Sequence, residues 1–247
     1  MSSSIPLKAD KNVTALILAG GFGTRLQTAL PDRPKVLAPV AGRPFLSYLM
    51  DQLIATGFRQ VILCTGYKGE QIRAAFGDQY KGLDIRYSQE PEPLGTGGAL
   101  RFGLPFINTE TALVTNGDSY VKCNLTDYIT WYFENDFQAS LLLTYLSDTS
   151  RYGRVEVDNK DRIVKFAEKD TSRGPGWVNA GVYIFNMGLL ESIPFGKPFS
   201  LEREFFPSLI GKGLYGFRSE GAFIDIGTPE SYALAEEFFS RLALSTA

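Results

Sequence analysis

The chain has 247 residues, 44% of them hydrophobic and 21% charged, and its formal net charge is −2. This length suffices for one large domain with a substantial core, and the small net charge excludes a general attraction to nucleic acid or to an anionic membrane. The sequence contains no histidine, which excludes Ser-His-Asp and Cys-His catalysis and histidine-ligated zinc. Any chemistry must therefore use carboxylates, cations, backbone groups or a hard metal ion.

The two cysteines, Cys64 and Cys123, are far apart and lack the spacing of metal ligands. Each lies in or just after an apolar run, which predicts buried free thiols and a reducing compartment. No N-terminal stretch has the basic flank and apolar core of a signal peptide, and no apolar run approaches the roughly 20 residues that span a bilayer. We therefore expect a cytoplasmic protein with neither nucleic acid nor membrane as a partner.

The predicted elements begin after a polar lead-in without a pattern at residues 1–12. Val13–Leu18 is apolar at consecutive positions, as expected of a strand buried on both faces of a parallel sheet. Helices and strands then alternate, at Phe45–Thr56, Val61–Thr65, Glu70–Phe76, Leu83–Tyr87, Thr96–Gly103, Ala112–Thr115, Thr126–Asn135 and Ala139–Leu146. This alternation predicts an α/β fold of three layers, a mostly parallel mixed sheet with helices on both faces.

After residue 150 the pattern changes to shorter strands, which predict a smaller antiparallel substrate lobe beside the main sheet. These strands are predicted at Gly153–Val157, Ile163–Glu168 and Val178–Phe185. The segment Thr228–Glu230 has the cap, the proline and the acid of a helix start, and a closing helix is predicted over Tyr232–Leu244. No repeat or linker interrupts the sequence, so we expect a single domain over residues 1–247 without an appended β-helix.

A glycine-rich segment from Gly20 to Arg25 directly follows the first predicted strand. Glycines there let the backbone approach a phosphate closely, and successive N–H groups can form an anion-binding concavity. The segment has Leu26 where a dinucleotide fingerprint needs its third glycine, and it lacks the Gly-Lys-Ser/Thr of a P-loop. An isolated glycine turn is more often only a tight turn. Here Arg25 and Lys35 lie in the same connection, and this pair of cations favours a polyphosphate site.

The motifs of the chain resemble those of the sugar nucleotidyltransferases, also called nucleotide-sugar pyrophosphorylases. The resemblance rests on Gly-Gly-x-Gly-Thr-Arg-Leu at residues 20–26, Pro-Lys-x-Leu at 34–37, Glu92–Ala99, Asn116–Asp118, Glu168–Lys169, Asn179–Gly181 and Phe223–Pro229. These motifs stand in the family's order and together cover about residues 13–240. The resemblance implies a Rossmann-like fold and a Mg²⁺-dependent attack of a sugar 1-phosphate on the α-phosphate of a nucleoside triphosphate, which releases pyrophosphate.

The same resemblance implies roles for individual residues. The catalytic residues would be Arg25, Lys35, Asp118 and Asp225, with Arg25 stabilising the leaving pyrophosphate and the two aspartates holding Mg²⁺. The nucleotide would be bound by Leu18, Ala19, Gly20, Gly21, Gly23, Thr24, Arg25, Lys35, Gln89, Gly95 and Thr96, of which Gln89 and Gly95 would face the base. The sugar phosphate would be bound by Gly117, Gly153, Glu168, Lys169, Asn179 and Gly181.

The chemistry of the reaction favours such residues independently. Two unit charges 4 Å apart repel by about 4 kcal/mol at an effective dielectric near 20, so two phosphorylated substrates need cations on several sides. The attacking oxygen already carries charge and needs no general base, so the absence of histidine is no handicap. Taken alone, Asp118 could be a turn aspartate and Asp225 a helix-flanking acid. Glu168 and Lys169 could likewise be a solvated pair at a strand end.

Three stretches resemble the D-glycero-α-D-manno-heptose 1-phosphate guanylyltransferases, which implies GTP and heptose 1-phosphate as substrates. These stretches are Gly42–Leu46, Gly66–Lys68 and Ser200–Pro207. Mannose-1-phosphate guanylyltransferase and N-acetylmuramate-1-phosphate uridylyltransferase are alternatives, because a few hydrogen bonds decide the base and the sugar. A catalytically silent nucleotide-sensing subunit is an alternative of another class, but it would lose phosphate or metal residues that this chain keeps. The oligomeric state stays open, with a homo-oligomer as one option.

Overall fold

Strands and helices alternate along the chain, as the computed structural model shows for residues 13–23, 25–26, 30, 32–167 and 174–244. The strands are β1 (Val13–Leu18), β2 (Pro39–Val40), β3 (Arg43–Pro44), β4 (Gln60–Thr65), β5 (Gln79–Tyr80), β6 (Leu83–Gln89), β7 (Thr111–Asn116), β8 (Ser119–Val121), β9 (Ala139–Leu146), β10 (Arg154–Val157), β11 (Ile163–Ala167), β12 (Gly176–Asn186), β13 (Leu214–Ser219) and β14 (Phe223–Asp225). The helices are α1 (Leu46–Thr56), α2 (Gly69–Phe76), α3 (Gly95–Gly103), α4 (Leu125–Glu134), α5 (Met187–Glu191), α6 (Phe206–Leu209), α7 (Pro229–Ala233) and α8 (Ala235–Leu244).

One mixed sheet holds ten of the strands in the described part of the chain, in the order β11-β10-β12-β7-β1-β4-β6-β5, with β9 and β13 continuing from β12. Its centre is parallel, because β1 pairs in parallel with β4 and β7, and β4 with β6. Strand β12 pairs antiparallel with β7, β9 and β10. The antiparallel strands predicted beside the main sheet are thus joined to it by hydrogen bonds through β12.

Two hydrophobic cores lie on opposite faces of this sheet. Ala15 and Ile17 of β1 pack into one core with Leu53 of α1, whereas Leu16 packs into the other core with Leu100 of α3. Successive side chains of a strand point to opposite faces, so β1 must be covered by helices on both sides. This arrangement confirms the predicted α/β fold with helices on both faces. No helix among the described residues is sufficiently long and apolar to span a lipid bilayer.

The C-terminal part of the chain differs from the prediction in its closing helix and in four elements that were not predicted, α5, α6, β13 and β14. The predicted closing helix is divided at Leu234 into α7 and α8, and a capping box of Thr228 and Ser231 starts α7. Strand β13 was not predicted, and it pairs in parallel with β9. Strand β13 is recognisable only from its contacts with β9. These contacts are close, because a Cβ at Gly216 would be 2.5 Å from Cδ1 of Leu143.

The parallel strands end at one edge of the sheet, which is where α/β proteins bind ligands. Strand β1 ends there in the glycine-rich turn, β7 in Asn116-Gly117-Asp118, and β6 in the loop that leads to α3. Strand β14 reaches the same edge by pairing with β8, which directly follows β7. The fold therefore collects several of the sequence motifs at one place.

Candidate active site

The glycine turn after β1 opens into a cavity of about 360 Å³. A Cβ at Gly21 would meet no atom within 4 Å, and Gly23 has a positive φ of 60°, which glycine adopts at low cost. A backbone hydrogen bond to β4 fixes the start of the turn, because the N–H of Ala19 donates to the carbonyl oxygen of Cys64 at 2.7 Å. Its backbone is thus fixed but open, as a phosphate-binding turn must be.

Most residues predicted to bind the nucleotide line this cavity. They are Leu18, Ala19, Gly20, Gly21, Gly23, Lys35, Gly95 and Thr96, together with Gly117 and Asp118 from the other predicted sets. Gln89 instead lies at an adjacent cavity of about 490 Å³, and its side chain is exposed. Its neighbour Glu90 is buried and lines both cavities. Thr24 lies outside the described residues.

The ends of β1 and β7 touch at Gly117. The N–H of Gly117 donates to the carbonyl oxygen of Leu18 at 2.9 Å, and a Cβ at this position would lie only 2.6 Å from that oxygen. Only glycine permits this approach without a shift of the backbone. The contact places Asp118 directly beside the glycine turn.

Lys35 and Asp118 form an ion pair at the floor of the cavity. The distance from Lys35 Nζ to Asp118 Oδ2 is 2.6 Å, and the two side chains are 12% and 39% exposed. Burial raises the pKa of the Asp118 carboxyl. The charge of Lys35 and its hydrogen bond lower this pKa, and they outweigh burial, so the pKa is below its ordinary value. Asp118 is therefore ionised at neutral pH and can attract a second cation.

Asp225 reaches the same place from a distant part of the sequence. In the antiparallel pair of β8 and β14, Asp225 lies opposite Ser119, and the N–H of Ile226 donates to the backbone carbonyl of Asp118 at 2.9 Å. A Cβ at Gly227 would lie 2.7 Å from Asp225 Oδ1 and 3.9 Å from Lys35 Nζ. Both carboxylates therefore lie beside Lys35.

A set of donors holds the Asp225 carboxylate in place. Oδ1 accepts from the N–H of Gly227 at 2.7 Å and from the Ser231 hydroxyl at 3.2 Å. Oδ2 accepts from the Tyr152 hydroxyl, and an Arg151 nitrogen lies 3.4 Å from it. Burial and then the hydrogen bond to Asp225 raise the pKa of Tyr152, so this phenol remains a donor. No sequence motif indicated a role for Arg151, Tyr152 or Ser231.

A second cavity of about 360 Å³ lies on the other side of Asp118. Its lining includes Arg25, Asn116, Asp118, Arg151, Tyr152, Asn179, Gly181 and Asp225. Asn179 and Gly181 were predicted to bind the sugar, and the N–H of Gly181 donates to Asn179 Oδ1 at 2.9 Å. Gly153 follows Tyr152 but does not itself line this cavity. Glu168 and Lys169 lie outside the described residues.

Three polar residues that sequence reasoning missed also line the cleft. Asn116 lines both cavities. Glu202 lines the first one, where its carboxylate accepts from the Thr96 hydroxyl at 2.7 Å. Glu90 is the third. The sequence gave only weak indications of these residues. Glu90 is adjacent to Gln89, which was predicted to face the base, and Glu202 lies in a stretch that indicated only the subfamily.

The arrangement can hold two anions side by side. The first cavity offers backbone N–H groups and Lys35, the second offers Arg25 and Arg151, and the two carboxylates lie between them. Asp118 and Asp225 are oxygen ligands of the kind that a hard divalent cation prefers, and one or two carboxylates suffice for Mg²⁺. The residues present therefore fit such an ion.

Comparison with known proteins agrees with this geometry. The sequence profile of a family described as nucleotidyl transferase matches residues 14–241. The chain belongs to this family. A mannose-1-phosphate guanylyltransferase of Mycobacterium tuberculosis is 37% identical over 91% of the chain, which spans 64% of that protein's length. A D-glycero-α-D-manno-heptose 1-phosphate guanylyltransferase of Aneurinibacillus thermoaerophilus is 38% identical over 90% of the chain and 96% of its own length.

A solved structure shares the fold. HddC from Yersinia pseudotuberculosis superimposes with a TM-score of 0.82 and 33% sequence identity, and the match covers 92% of this chain and 99% of that one. The same protein has also been solved in complex with GMP-PN. These similarities confirm the family resemblance that the ordered motifs indicated.

Proposed function

We propose that the chain is a sugar-1-phosphate guanylyltransferase, which joins the nucleotidyl group of GTP to a sugar 1-phosphate. The observation that carries this proposal is the meeting of Lys35, Asp118 and Asp225 beside an open glycine turn. This site has room and charge for two phosphorylated substrates on either side of a pair of carboxylates. The names of the similar proteins support a sugar 1-phosphate as the acceptor.

The reaction needs no proton transfer. A phosphate oxygen of the sugar 1-phosphate attacks the α-phosphorus of the triphosphate, and the bond between that phosphorus and the bridging oxygen to the β-phosphate breaks. The electron pair leaves with pyrophosphate. Lys35 and the glycine-turn N–H groups hold the triphosphate, while Arg151 lies at the cavity for the attacking phosphate. Arg25 follows the glycine turn and lines this second cavity, and its predicted role in stabilising the leaving pyrophosphate stays a prediction. Positioning and charge stabilisation account for most catalysis in such transfers.

Asp118 and Asp225 would hold the divalent cation, for which we propose Mg²⁺. When bound, such an ion supplies positive charge to the phosphate oxygens. Lys35 and Arg151 neutralise the two carboxylates, and the hydroxyl of Tyr152 keeps Asp225 oriented toward the cavity. Holding ionised carboxylates ready in this way reduces the rearrangement needed when substrates bind.

For the sugar we favour D-glycero-α-D-manno-heptose 1-phosphate, with mannose 1-phosphate as the second candidate. The identities to the heptose and mannose enzymes are 38% and 37%, so similarity does not separate them. The stretches Gly42–Leu46, Gly66–Lys68 and Ser200–Pro207 favour heptose.

A cytoplasmic location agrees with the free thiols of Cys64 and Cys123. The predicted homo-oligomer stays a prediction.

A substrate panel tests the proposal directly. The protein is incubated with Mg²⁺, each common nucleoside triphosphate and a set of sugar 1-phosphates, and both pyrophosphate and the nucleotide sugar are measured. We expect release with GTP and one sugar 1-phosphate, heptose being favoured. The set includes the pair of N-acetylmuramate 1-phosphate and UTP. If the protein prefers this pair, the assignment of guanine as the base is wrong. Absence of pyrophosphate with every pair would exclude the enzyme and favour a nucleotide-sensing subunit.

A matched pair of variants tests the carboxylate site. Asp225→Asn removes the charge at the cleft, and we expect turnover to fall by at least about 100-fold together with a weaker affinity for Mn²⁺ measured by electron paramagnetic resonance. Asp127→Asn makes the same change on the exposed face of α4 and should alter neither quantity. Unchanged Mn²⁺ affinity in Asp225→Asn would remove this residue from the metal site.

A further inference from the structure

Glu202 is an acid in the glycine-turn cavity that has no part in the proposed reaction. It lies in one turn of π-helix, Leu201–Phe205, which begins after Ser200, and its side chain is half-buried. Oε2 of its carboxylate accepts from the Thr96 hydroxyl at 2.7 Å and from the Ser200 hydroxyl at 3.1 Å. Because Glu202 lies in the stretch that indicated only the subfamily, its role must follow from these surroundings.

The start of α3 holds the segment that presents Glu202. The N–H groups of Gly97 and Gly98 donate to the carbonyl oxygen of Phe199 at 2.9 and 3.1 Å. The N–H of Phe199 in turn donates to the carbonyl oxygen of Leu94 at 2.8 Å. A Cβ at Gly95 would lie 2.8 Å from the Phe199 oxygen, so glycine permits this close approach. The glycines that open α3 thus fix the segment that carries Glu202 into the cavity.

The two hydroxyls beside Glu202 direct their protons at its carboxylate. The Thr96 hydroxyl accepts from the N–H of Leu201 at 2.9 Å, and the Ser200 hydroxyl accepts from the N–H of Arg203 at 3.1 Å. Because each hydroxyl already accepts from a backbone N–H, its own proton is available for Glu202 Oε2. An ionised carboxylate accepts about four hydrogen bonds and donates none. The two hydroxyls fill acceptor positions on one oxygen, so Oε1 can accept from a ligand.

The charge of Glu202 decides which part of a nucleotide it can meet. Like charges repel strongly at short range, so the phosphates must lie toward Lys35 and the N–H groups of the glycine turn. The ribose joins the phosphates to the base and carries two adjacent hydroxyls, which are hydrogen-bond donors. A carboxylate binds a ribose hydroxyl in dinucleotide-binding folds by the same chemistry. The residues predicted to bind the sugar, Asn179 and Gly181, line the second cavity, so the hydroxyls nearest Glu202 belong to the nucleotide.

We propose that Glu202 binds the 2′- and 3′-hydroxyls of the ribose and thereby selects ribonucleotides over deoxyribonucleotides. With a deoxynucleotide the carboxylate loses a donor, and leaving a charged acceptor unpaired in a cleft costs more than losing a neutral hydrogen bond. Thr96 and Ser200 keep the carboxylate in place before the nucleotide binds, so little rearrangement is needed. This inference rests on the proposed function and adds to it a selection of the pentose.

The test compares GTP with 2′-deoxy-GTP and 3′-deoxy-GTP, in pyrophosphate release with Mg²⁺ and the sugar 1-phosphate that supports turnover. In the wild-type protein we expect kcat/KM for GTP to exceed that for at least one analogue by about 10- to 100-fold. In Glu202→Gln this ratio should fall at least about threefold. The reason is that the amide oxygen accepts without a charge, and charge-assisted hydrogen bonds are about twice as strong as neutral ones.

Glu204→Gln is the matched control, because Glu204 lies in the same turn with an exposed side chain. Its carboxylate accepts from the N–H of Ser200 at 2.8 Å, which an amide oxygen can also do, and this variant should keep the wild-type ratio. If Glu202→Gln does not fold, Glu202→Asp replaces it. Aspartate keeps the charge but withdraws the carboxylate by one methylene, and the ratio should again fall at least about threefold.

Two results would overturn the proposal. One is a wild-type protein that uses GTP and both deoxy analogues equally well. The other is a Glu202 variant that loses the same factor with GTP and with the analogues, which indicates a purely structural role. In either case pyrophosphate released with GTP leaves the proposed nucleotidyl transfer intact, whereas no release with any nucleoside triphosphate refutes that transfer itself.

Discussion

Replacing Glu90 by glutamine should make the ligand-free protein more stable at alkaline pH. Burial raises the pKa of this carboxyl from its ordinary 4.5 to about 7. Between these values the folded state keeps a proton that the unfolded chain has released, so the free energy of unfolding falls as pH rises through this window. A pKa difference of one unit between the folded and the unfolded state corresponds to about 1.4 kcal/mol. Ionising Glu90 therefore lowers the free energy of unfolding by roughly 3 kcal/mol by pH 8.

Urea unfolding followed by tryptophan fluorescence measures this cost. At pH 5 the Glu90→Gln variant should differ little from wild type, because most of the cost has not yet appeared. At pH 8 it should be more stable by up to about 3 kcal/mol. Glu110 is exposed and lies just before β7, so the control Glu110→Gln should stay within about 0.5 kcal/mol of wild type at both values. If the Glu90→Gln difference is the same at pH 5 and pH 8, the acid is not held in the unfavourable environment described above.

Three further predictions concern the neighbouring residues. Tyr152→Phe removes a donor to Asp225 and should lower kcat by about 10-fold without changing the melting temperature; an unchanged kcat would contradict this. Gly117→Ala places a Cβ 2.6 Å from the carbonyl oxygen of Leu18 and should cost about 2 kcal/mol or more in urea unfolding, so wild-type stability would refute the close approach. Lys35→Gln leaves its carboxylate partner unpaired and should raise the KM for the triphosphate by at least about 10-fold, and an effect confined to the sugar phosphate would count against its placement.

Local sequence patterns predicted most of the central sheet. The consecutive apolar residues of β1 reflect burial of the strand on both faces. The helical spacing of apolar residues in α1 reflects burial of the helix on one face. Strand β13 and the break at Leu234 were not predicted. In both places the residues have weak local preferences, and their conformation depends on contacts with β9 and on the packing of α8.

The glycine turn and its cations were visible in the sequence because their chemistry is local. The resemblance also indicated Asp118 and Asp225, but nothing in their spacing showed that they meet. Their meeting depends on the pairing of β8 with β14. Arg151 and Tyr152 gave no local signal, because their role comes from contact with Asp225.

Gln89 and Glu90 show the same limit at the scale of one residue. Consecutive residues of an extended segment point in opposite directions, so a motif places the segment without saying which side chain enters the cleft. The structure leaves Gln89 exposed and buries Glu90. The direction of each side chain follows from the pairing of β6 with β4, which no window of sequence contains.

The sequence by itself determined the fold class and the absence of histidine chemistry, and it predicted a phosphate-binding turn after β1. These follow from composition and from residues that are neighbours in the chain. Tertiary structure alone decided which carboxylates share a cavity, which cations face them and which acid is buried in the cleft. The physical reason is that charge interactions and burial depend on distance in space, and folding brings together residues that lie far apart in the sequence.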